Sequence, residues 1–200
     1  MSAPQTEQEY WESVAAATIV GGRLLDNYYK RQQLTRLVFG TEIIHKRILE
    51  IGAGMALTAA AVQSAIVGNW HYTALDVSRT YVEFIQDKLG LEARIGSITD
   101  LGEPSRSVDA IWLFDVLEHI SPRRRTQAYC EMNRVLKNGG VIVVNTPLSE
   151  SKHQEMYDFG FCEADLEFMN SQTGCFLKKN ETYSCPEIGR TYLFTISEKR

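Results

Sequence analysis

The sequence predicts an α/β fold of the doubly wound type, with a mostly parallel sheet and helices on both faces. Short apolar runs alternate along the chain with longer stretches in which apolar residues recur at helical spacing. The run at 108–114 is apolar at nearly every position, which is typical of a central parallel strand buried on both faces. The run at 48–51 ends in two closely spaced glycines followed by an alanine-rich stretch, a pattern that predicts a strand, a tight turn and a helix.

Length and composition favour a single globular domain. The chain has 200 residues, enough to bury a core, and its net charge of −4 argues against a nucleic-acid partner, which would require clustered lysines and arginines. No apolar run approaches the ~20 residues of a membrane span, and the N-terminus lacks the features of a signal peptide. We therefore expect a cytoplasmic protein without a membrane partner. The four cysteines and four histidines show no metal-ligand spacing, so no metal is expected.

The elements follow in a regular order along this one domain. Seven strands are predicted, at 48–51, 70–76, 92–96, 108–114, 141–147, 176–183 and 191–197. Helices are predicted at 6–20, 23–39, 55–67, 79–89, from 122 to the paired glycines at 139 and 140, and at 163–170. These elements divide the domain into an N-terminal helical part at 1–45, a core of alternating strands and helices at 46–147, and a C-terminal part with a hairpin at 148–200.

The turn after the first strand is predicted to bind a cofactor. Gly52 and Gly54 allow a sharp backbone turn and the close approach of a ligand, and the following helix directs its free N–H groups at the same place. Asp76 ends the second strand, where an acid in a doubly wound fold accepts hydrogen bonds from ribose hydroxyls. The alternative is that Asp76 only caps the next helix, although Ser78 is better placed to do so.

The helix predicted from residue 122 begins unusually. Ser121 and Pro122 form a favourable start, with Ser121 as the cap. Arg123, Arg124 and Arg125 then place three cations in the first turn, where they oppose the helix dipole. Such runs are mostly solvated, so we predict a surface cluster, with an acidic partner or substrate group as the alternative.

Three motifs resemble those of the class I S-adenosylmethionine (SAM) methyltransferases of the small-molecule type, which include ubiquinone-pathway enzymes. An acid precedes the glycine turn, giving Glu50-x-Gly52-x-Gly54. Residues 114–120 read FDVLEHI, similar to a segment of many small-molecule members, and 134–140 read RVLKNGG, similar to the family's RVLKPGG turn. The resemblance covers 47–147 well. It implies SAM as cofactor, S-adenosylhomocysteine as product, and an antiparallel C-terminal hairpin that completes a seven-stranded sheet. It also implies that 1–45 is a helical cap, 46–147 the cofactor-binding core and 148–200 the substrate-side segment.

The resemblance also implies where the cofactor lies. Arg31 would meet its carboxylate, and Asp115 and Leu117 would border its methionine end. Ser97 stands where the family commonly has an aspartate for the adenine amino group, which puts that contact in doubt, and Ile98 would pack on the adenine face. The predicted cofactor-binding residues are Arg31, Glu50, Gly52, Ala53, Gly54, Asp76, Val77, Ser97, Ile98, Asp115, Val116 and Leu117.

The activity that this implies is transfer of a methyl group to an oxygen or nitrogen of a small-molecule acceptor by in-line displacement. His119, His153 and Tyr28 are the candidate general bases, in falling order. The alternative for His119 is a structural role, which the corresponding histidine has in many family members. The alternative for His153 is that it is a surface residue of a loop. We expect a monomer or homodimer.

Three other functions fit parts of the pattern. A nucleotide-binding oxidoreductase is disfavoured because Leu57 stands where the dinucleotide fingerprint has its third glycine. A protein or RNA methyltransferase would use the arginine run as its contact, against the acidic charge balance. A non-catalytic partner subunit of the same fold would have no need to keep the intact turn and Asp76.

Overall fold

The computed structural model describes residues 6–21, 34–35, 38, 47–65, 70–148, 157–186 and 189–200. The strands are β1 (Arg47–Ile51), β2 (His71–Asp76), β3 (Glu92–Ile95), β4 (Val108–Phe114), β5 (Leu136–Pro147), β6 (Cys175–Cys185) and β7 (Arg190–Lys199). The helices are α1 (Glu7–Gly21), α2 (Leu57–Ala65), α3 (Arg79–Phe84), α4 (Pro122–Val135) and α5 (Glu163–Thr173). A π-helical turn at Ile85–Leu89 continues α3, and a 3-10 turn at Leu117–His119 follows β4.

The seven strands form one sheet in the order β3-β2-β1-β4-β5-β7-β6. The five strands from β3 to β5 are parallel, and β7 is antiparallel to both β5 and β6. This confirms the predicted doubly wound, mostly parallel sheet with its C-terminal hairpin. The order reverses between β1 and β4, so the carboxyl ends of these two strands open a crevice, which is where ligands bind in such sheets.

Alternate residues of the central strands face two separate hydrophobic layers. On one face, residues such as Leu49 and Ile111 pack against Tyr129 and Met132 of α4 and Leu166 of α5. On the other face, Ile48, Ala74 and Trp112 pack with residues of α2 and α3. Buried Leu34 and Val38 of the predicted second helix join this second layer, and the rest of the predicted helix at 23–39 lies outside the described residues.

Several element bounds differ from the predicted ones by a few residues, most of all at the junction of α4 and β5, where the helix ends at Val135 and not at the paired glycines. The strand predicted at 141–147 begins at Leu136, because Leu136 pairs with Val108 before a register shift that leads to the pairing of Ala110 with Val141. Ser121 occupies the N-cap position and Pro122 the first turn of α4, as predicted, but the Ser121 side chain makes no capping hydrogen bond. Ser78 does cap α3, as predicted, by accepting a hydrogen bond from the Tyr81 N–H.

Candidate active site

A cavity of about 480 Å³ lies at the carboxyl ends of β1, β2 and β4, within the roughly 300–1,000 Å³ of small-molecule sites. Its walls come from the turns that follow these strands and from one side of α1. The predicted cofactor-binding residues on its wall are Gly52, Gly54, Asp76, Val77, Ser97, Ile98, Asp115 and Val116. The topology thus brings eight side chains or turns, spread over 65 residues of sequence, to a single cavity.

The glycine turn needs both of its glycines for different reasons. Gly52 has a φ of +66°, and a Cβ added there would lie 2.6 Å from Val116 Cγ2. Its N–H donates to the Leu75 carbonyl at 2.7 Å, which fixes the turn against β2. Gly54 has a φ of +55°, yet a Cβ added there would meet nothing within 4 Å. Gly54 therefore presents bare backbone to open space in the cavity wall.

Asp76 is held at the end of β2 by backbone groups. Its Oδ2 accepts from the Gly54 N–H at 2.9 Å, and its Oδ1 accepts from the Ser78 N–H at 2.9 Å. Burial raises the pKa of this carboxyl from 3.8 to about 6, and the two backbone hydrogen bonds oppose that rise. An ionised carboxylate with spare lone pairs on a cavity wall is suited to accept hydroxyl donors.

Three predicted cofactor contacts lie behind the cavity wall. Glu50 is buried and accepts a hydrogen bond from the Tyr72 hydroxyl at 2.6 Å. Ala53 and Leu117 belong to the two hydrophobic layers, with 1% and 0% of their surface exposed. From these positions they shape the turns whose backbone faces the cavity, and direct contact with a cofactor stays a prediction.

His119 is on the cavity wall, and its orientation is defined by two neighbours. Its Nδ1 lies 2.8 Å from the Tyr157 carbonyl oxygen. Because a carbonyl only accepts, Nδ1 carries the hydrogen, and the neutral ring therefore has its lone pair on Nε2. The Trp11 ring packs edge-on against the imidazole, with ring centroids 4.8 Å apart.

Glu118, beside His119, is a cavity residue that sequence reasoning missed. It is 2% exposed, its Oε2 accepts from the Thr146 hydroxyl at 2.9 Å, and its Oε1 lies 3.9 Å from His119 Nε2. Burial raises the pKa of this carboxyl, and the proximity of His119 lowers it. A signal was available, since an acid next to the candidate base in the FDVLEHI segment falls at a strand end, where cavity residues concentrate.

Helix α1 forms part of the cavity wall, and hydrogen bonds to Glu12 hold it against the start of α3. Glu7, Tyr10, Trp11, Val14 and Thr18 of this helix line the cavity. The Glu12 carboxylate accepts from the Ser78 hydroxyl at 3.0 Å and from the N–H groups of Arg79 and Thr80 at 2.6 and 3.3 Å. Burial opposes ionisation of Glu12, but these hydrogen bonds outweigh it and lower its pKa. A carboxylate from α1 therefore satisfies free N–H groups of α3.

The prediction of a solvated arginine cluster is wrong for Arg125, which is buried, whereas Arg124 is paired but partly exposed. Arg125 is buried, forms an ion pair with Asp165, and donates to the carbonyls of Ile120 and Gly160 at 3.1 and 2.6 Å. Arg124 is paired with Glu7 of α1. It also donates to the hydroxyls of Ser97 and Thr99, each at 3.1 Å. Arg123 alone is exposed as predicted.

Three predicted site residues fall outside the part of the chain that the structure describes. They are Tyr28, Arg31 and His153. None of the helices within the described ranges combines the length and apolar character needed to cross a membrane.

Comparisons with known proteins support the interpretation of the core. Residues 48–140 match a family model described as a methyltransferase domain. A Mycobacterium tuberculosis protein named a probable S-adenosylmethionine-dependent methyltransferase is 27% identical over 145 residues, covering 68% of this chain and 50% of the relative. A similarly named protein of Mycolicibacterium smegmatis is 28% identical over 133 residues, covering 64% of this chain and 49% of the relative. The chain thus spans about half the length of the curated relatives it matches.

Solved structures share the whole fold. A Burkholderia thailandensis 1,6-didemethyltoxoflavin-N1-methyltransferase, with bound 1,6-didemethyltoxoflavin and S-adenosylhomocysteine, has a TM-score of 0.73 at 16% identity, covering 100% of this chain and 93% of that chain. The complex of the Haloferax volcanii Trm112 methyltransferase activator with a methyltransferase has a TM-score of 0.77 at 14% identity, covering 96% and 97%. The [4+2]-cyclase SpnF has a TM-score of 0.69 at 18% identity, covering 84% and 80%.

These matches agree with the three sequence motifs, the order of the seven strands and the position of the cavity at the strand ends. Residues 48–140 match a methyltransferase domain, and the chain is similar to proteins named probable S-adenosylmethionine-dependent methyltransferases.

Proposed function

We propose that this protein transfers a methyl group from SAM to an oxygen or nitrogen of a small-molecule acceptor. The observation that carries the proposal is a single cavity whose wall includes the glycine turn and Asp76 as well as His119 and Glu118. A cofactor-sized ligand that contacts the first group of residues would extend towards the second.

The residues present fit SAM. The Asp76 carboxylate would accept from the ribose hydroxyls, and the bare backbone at Gly54 leaves room for close approach. Ser97 and Ile98 line the cavity beyond Asp76, where the adenine would lie. Asp115, at the end of β4, would face the positively charged methionine end. SAM supplies, when bound, a methyl group made electrophilic by the sulfonium.

The protein's own contribution is alignment and proton transfer. Holding an acceptor in line with the methyl group is worth ~7–11 kcal/mol of barrier at most. His119 presents its Nε2 lone pair on the cavity wall because Nδ1 is held by the Tyr157 carbonyl. From there it would accept the proton that a hydroxyl or amine acceptor loses.

The ion pairs formed by Arg124 and Arg125 favour a small-molecule acceptor over a macromolecule. The partly exposed Arg124 is paired with Glu7 and the buried Arg125 with Asp165, so each of these charges has a partner within the chain. Phosphate-rich partners bind through uncompensated, clustered cations, and the net charge of −4 opposes such contacts. The cavity, walled by α1, has the dimensions of a small-molecule site.

The first experiment is calorimetric titration of the purified protein with SAM and with S-adenosylhomocysteine, using NAD as the control ligand. Micromolar binding of both sulfur compounds without NAD binding is expected. Release of S-adenosylhomocysteine during acceptor screening then tests the reaction. A folded sample that binds neither compound would contradict the proposal and favour the non-catalytic partner subunit.

A further inference from the structure

Glu118 and His119 place two hydrogen-bond acceptor atoms close together on the cavity wall. Neither atom carries a hydrogen when Glu118 is ionised and His119 is neutral. Oε1 of Glu118 lies 3.9 Å from Nε2 of His119. The ring hydrogen of neutral His119 is committed to the Tyr157 carbonyl, and the Thr146 hydroxyl donates to the other carboxylate oxygen. Within the described residues, no other side chain donates a hydrogen bond to Glu118 Oε1, although the N–H of Glu118 itself bonds to this carboxylate. A ligand N–H at Oε1 would add a donor to a buried carboxylate, where hydrogen bonds to a charged group contribute most.

The surroundings favour a cationic or hydrogen-rich group at this place. Asp115 is close enough for its charge to raise the pKa of Glu118, and Asp158 also lines the cavity. Tyr10 and Trp11 add two aromatic rings with centroids 5.0 Å apart. Aromatic faces attract ammonium groups, and neighbouring carboxylates do the same.

We propose that the methyl acceptor is an amine, whose nitrogen donates hydrogen bonds to both Glu118 Oε1 and His119 Nε2; this rests on the methyl transfer proposed above. An amino group carries enough hydrogens for both acceptors, whereas an alcohol hydroxyl has one and leaves one of the two unsatisfied. A carboxylate has none and would meet Glu118, Asp115 and Asp158 as like charges. Arg190 also lines the cavity, so a carboxylate probe belongs in the test.

The step balances with these groups. A bound ammonium first gives one proton to His119 Nε2, and the Glu118 carboxylate stabilises the resulting imidazolium. The nitrogen lone pair then forms a bond to the methyl carbon while the carbon–sulfur bond breaks, and its electron pair stays on sulfur. The products are the N-methylammonium and S-adenosylhomocysteine.

The test uses a matched probe series on protein saturated with S-adenosylhomocysteine. Phenethylamine, phenethyl alcohol and phenylacetate share one ring and differ in the polar group. Calorimetry near pH 8 is expected to show the amine binding at least about tenfold more tightly than the alcohol, as charge-assisted hydrogen bonds imply. In Glu118→Gln the amine loses that preference, while in Glu167→Gln, which removes an exposed carboxylate on α5, it keeps it.

Equal or tighter binding of the alcohol or of phenylacetate by the wild-type protein would overturn the amine proposal, whether or not Glu118→Gln folds. With SAM in place of the product, mass spectrometry identifies the methylated atom. An O-methyl product from the alcohol, with the amine left unmodified, would leave the methyltransferase proposal standing and remove the amine. Failure to bind S-adenosylhomocysteine at all would instead contradict the proposed function itself.

Discussion

The Asp76 carboxylate accepts a hydrogen bond from the Gly54 N–H at 2.9 Å, across 22 residues of sequence. One residue at the end of β2 thus shapes the glycine turn after β1 and presents a negative charge to the cavity. The two predicted cofactor-binding features are therefore a single unit, and a change at Asp76 is expected to affect both.

Replacing Asp76 with alanine is expected to weaken SAM binding at least about tenfold, because a charge-assisted hydrogen bond to the ribose is lost and the Gly54 turn is released. Calorimetry measures the dissociation constant. The matched control is Asp87→Ala, an exposed aspartate on the π-helical turn, for which SAM affinity should stay within twofold. Equal affinities of the Asp76 variant and the wild type would remove Asp76 from the cofactor site.

The raised pKa of Asp76 predicts a specific pH dependence of stability. Burial moves this pKa from 3.8 to about 6. A raised carboxyl pKa favours the folded state while the group is protonated, so the contribution is present below the unfolded pKa and is lost as pH rises through about 6. Asn at position 76 does not titrate. Between about pH 4 and pH 7.5, the unfolding free energy of the wild type should therefore fall relative to Asp76→Asn by ~2–3 kcal/mol. Urea unfolding at both pH values measures the difference, and a constant offset would contradict the assigned shift.

Glu12 is expected to hold α1 against α3. Glu12→Ala removes an acceptor for two backbone N–H groups and the Ser78 hydroxyl, so the unfolding free energy should fall by about 1–2 kcal/mol, as for the loss of a helix cap. Limited proteolysis should cleave α1 faster in the variant. Ser13→Ala, on the next residue of the same helix and exposed, serves as the control and should differ from the wild type by less than about 0.5 kcal/mol.

Two arginines in the first turn of α4, Arg123 and Arg125, are expected to differ in how much they contribute to the unfolding free energy. Arg125→Met leaves Asp165 and two carbonyls without their donor in a buried environment and should lower the unfolding free energy by about 3 kcal/mol. The neighbouring Arg123→Met change, on an exposed side chain, should stay within about 0.5 kcal/mol. Chemical denaturation compares the two. Similar losses in both variants would mean that helix propensity or net charge, and not the buried ion pair, governs stability here.

His119→Gln is expected to reduce turnover well over tenfold, consistent with the loss of a general base, while SAM affinity changes less than twofold. Once an acceptor is in hand, kcat and the SAM dissociation constant are measured on the same preparation. A large loss of SAM affinity with little change in kcat would assign His119 to the packing against Trp11. Unchanged kcat would exclude it from proton transfer.

Local patterns were enough to predict the strands and the cavity edge. The apolar run at 108–114 matches β4 in both bounds, and the glycines, Asp76 and Asp115 all lie at carboxyl ends of strands, because parallel strands bring those ends together. Strand bounds and the residues at strand ends are encoded in short stretches of sequence, so they could be predicted without knowing which distant residues are in contact.

The features that sequence reasoning missed depend on distant partners. Arg124 meets Glu7 across 117 residues and Arg125 meets Asp165 across 40, so a run of charges gave no local indication that two of them would be neutralised. Glu12 reaches the start of α3 across 66 to 68 residues. The position of Glu118 at a strand end was indicated by the FDVLEHI segment, but its hydrogen bond from Thr146 of β5, 28 residues away, was not.

Asp115 has a φ of +59°, in the left-handed region, at the step from β4 into the 3-10 turn. Among residues with a side chain, aspartate and asparagine enter this region most readily, and β-branched residues are strongly disfavoured there. Position 115 therefore meets two independent requirements. Its backbone needs a positive φ, which most amino acids disfavour, and its side chain places a negative charge at the cavity. Glutamate, the closest match in charge, is a poor substitute in backbone terms. Asparagine is the reverse case, because it tolerates the positive φ but carries no charge. Comparing Asp115→Glu with Asp115→Asn therefore distinguishes the role of the backbone conformation from the role of the charge.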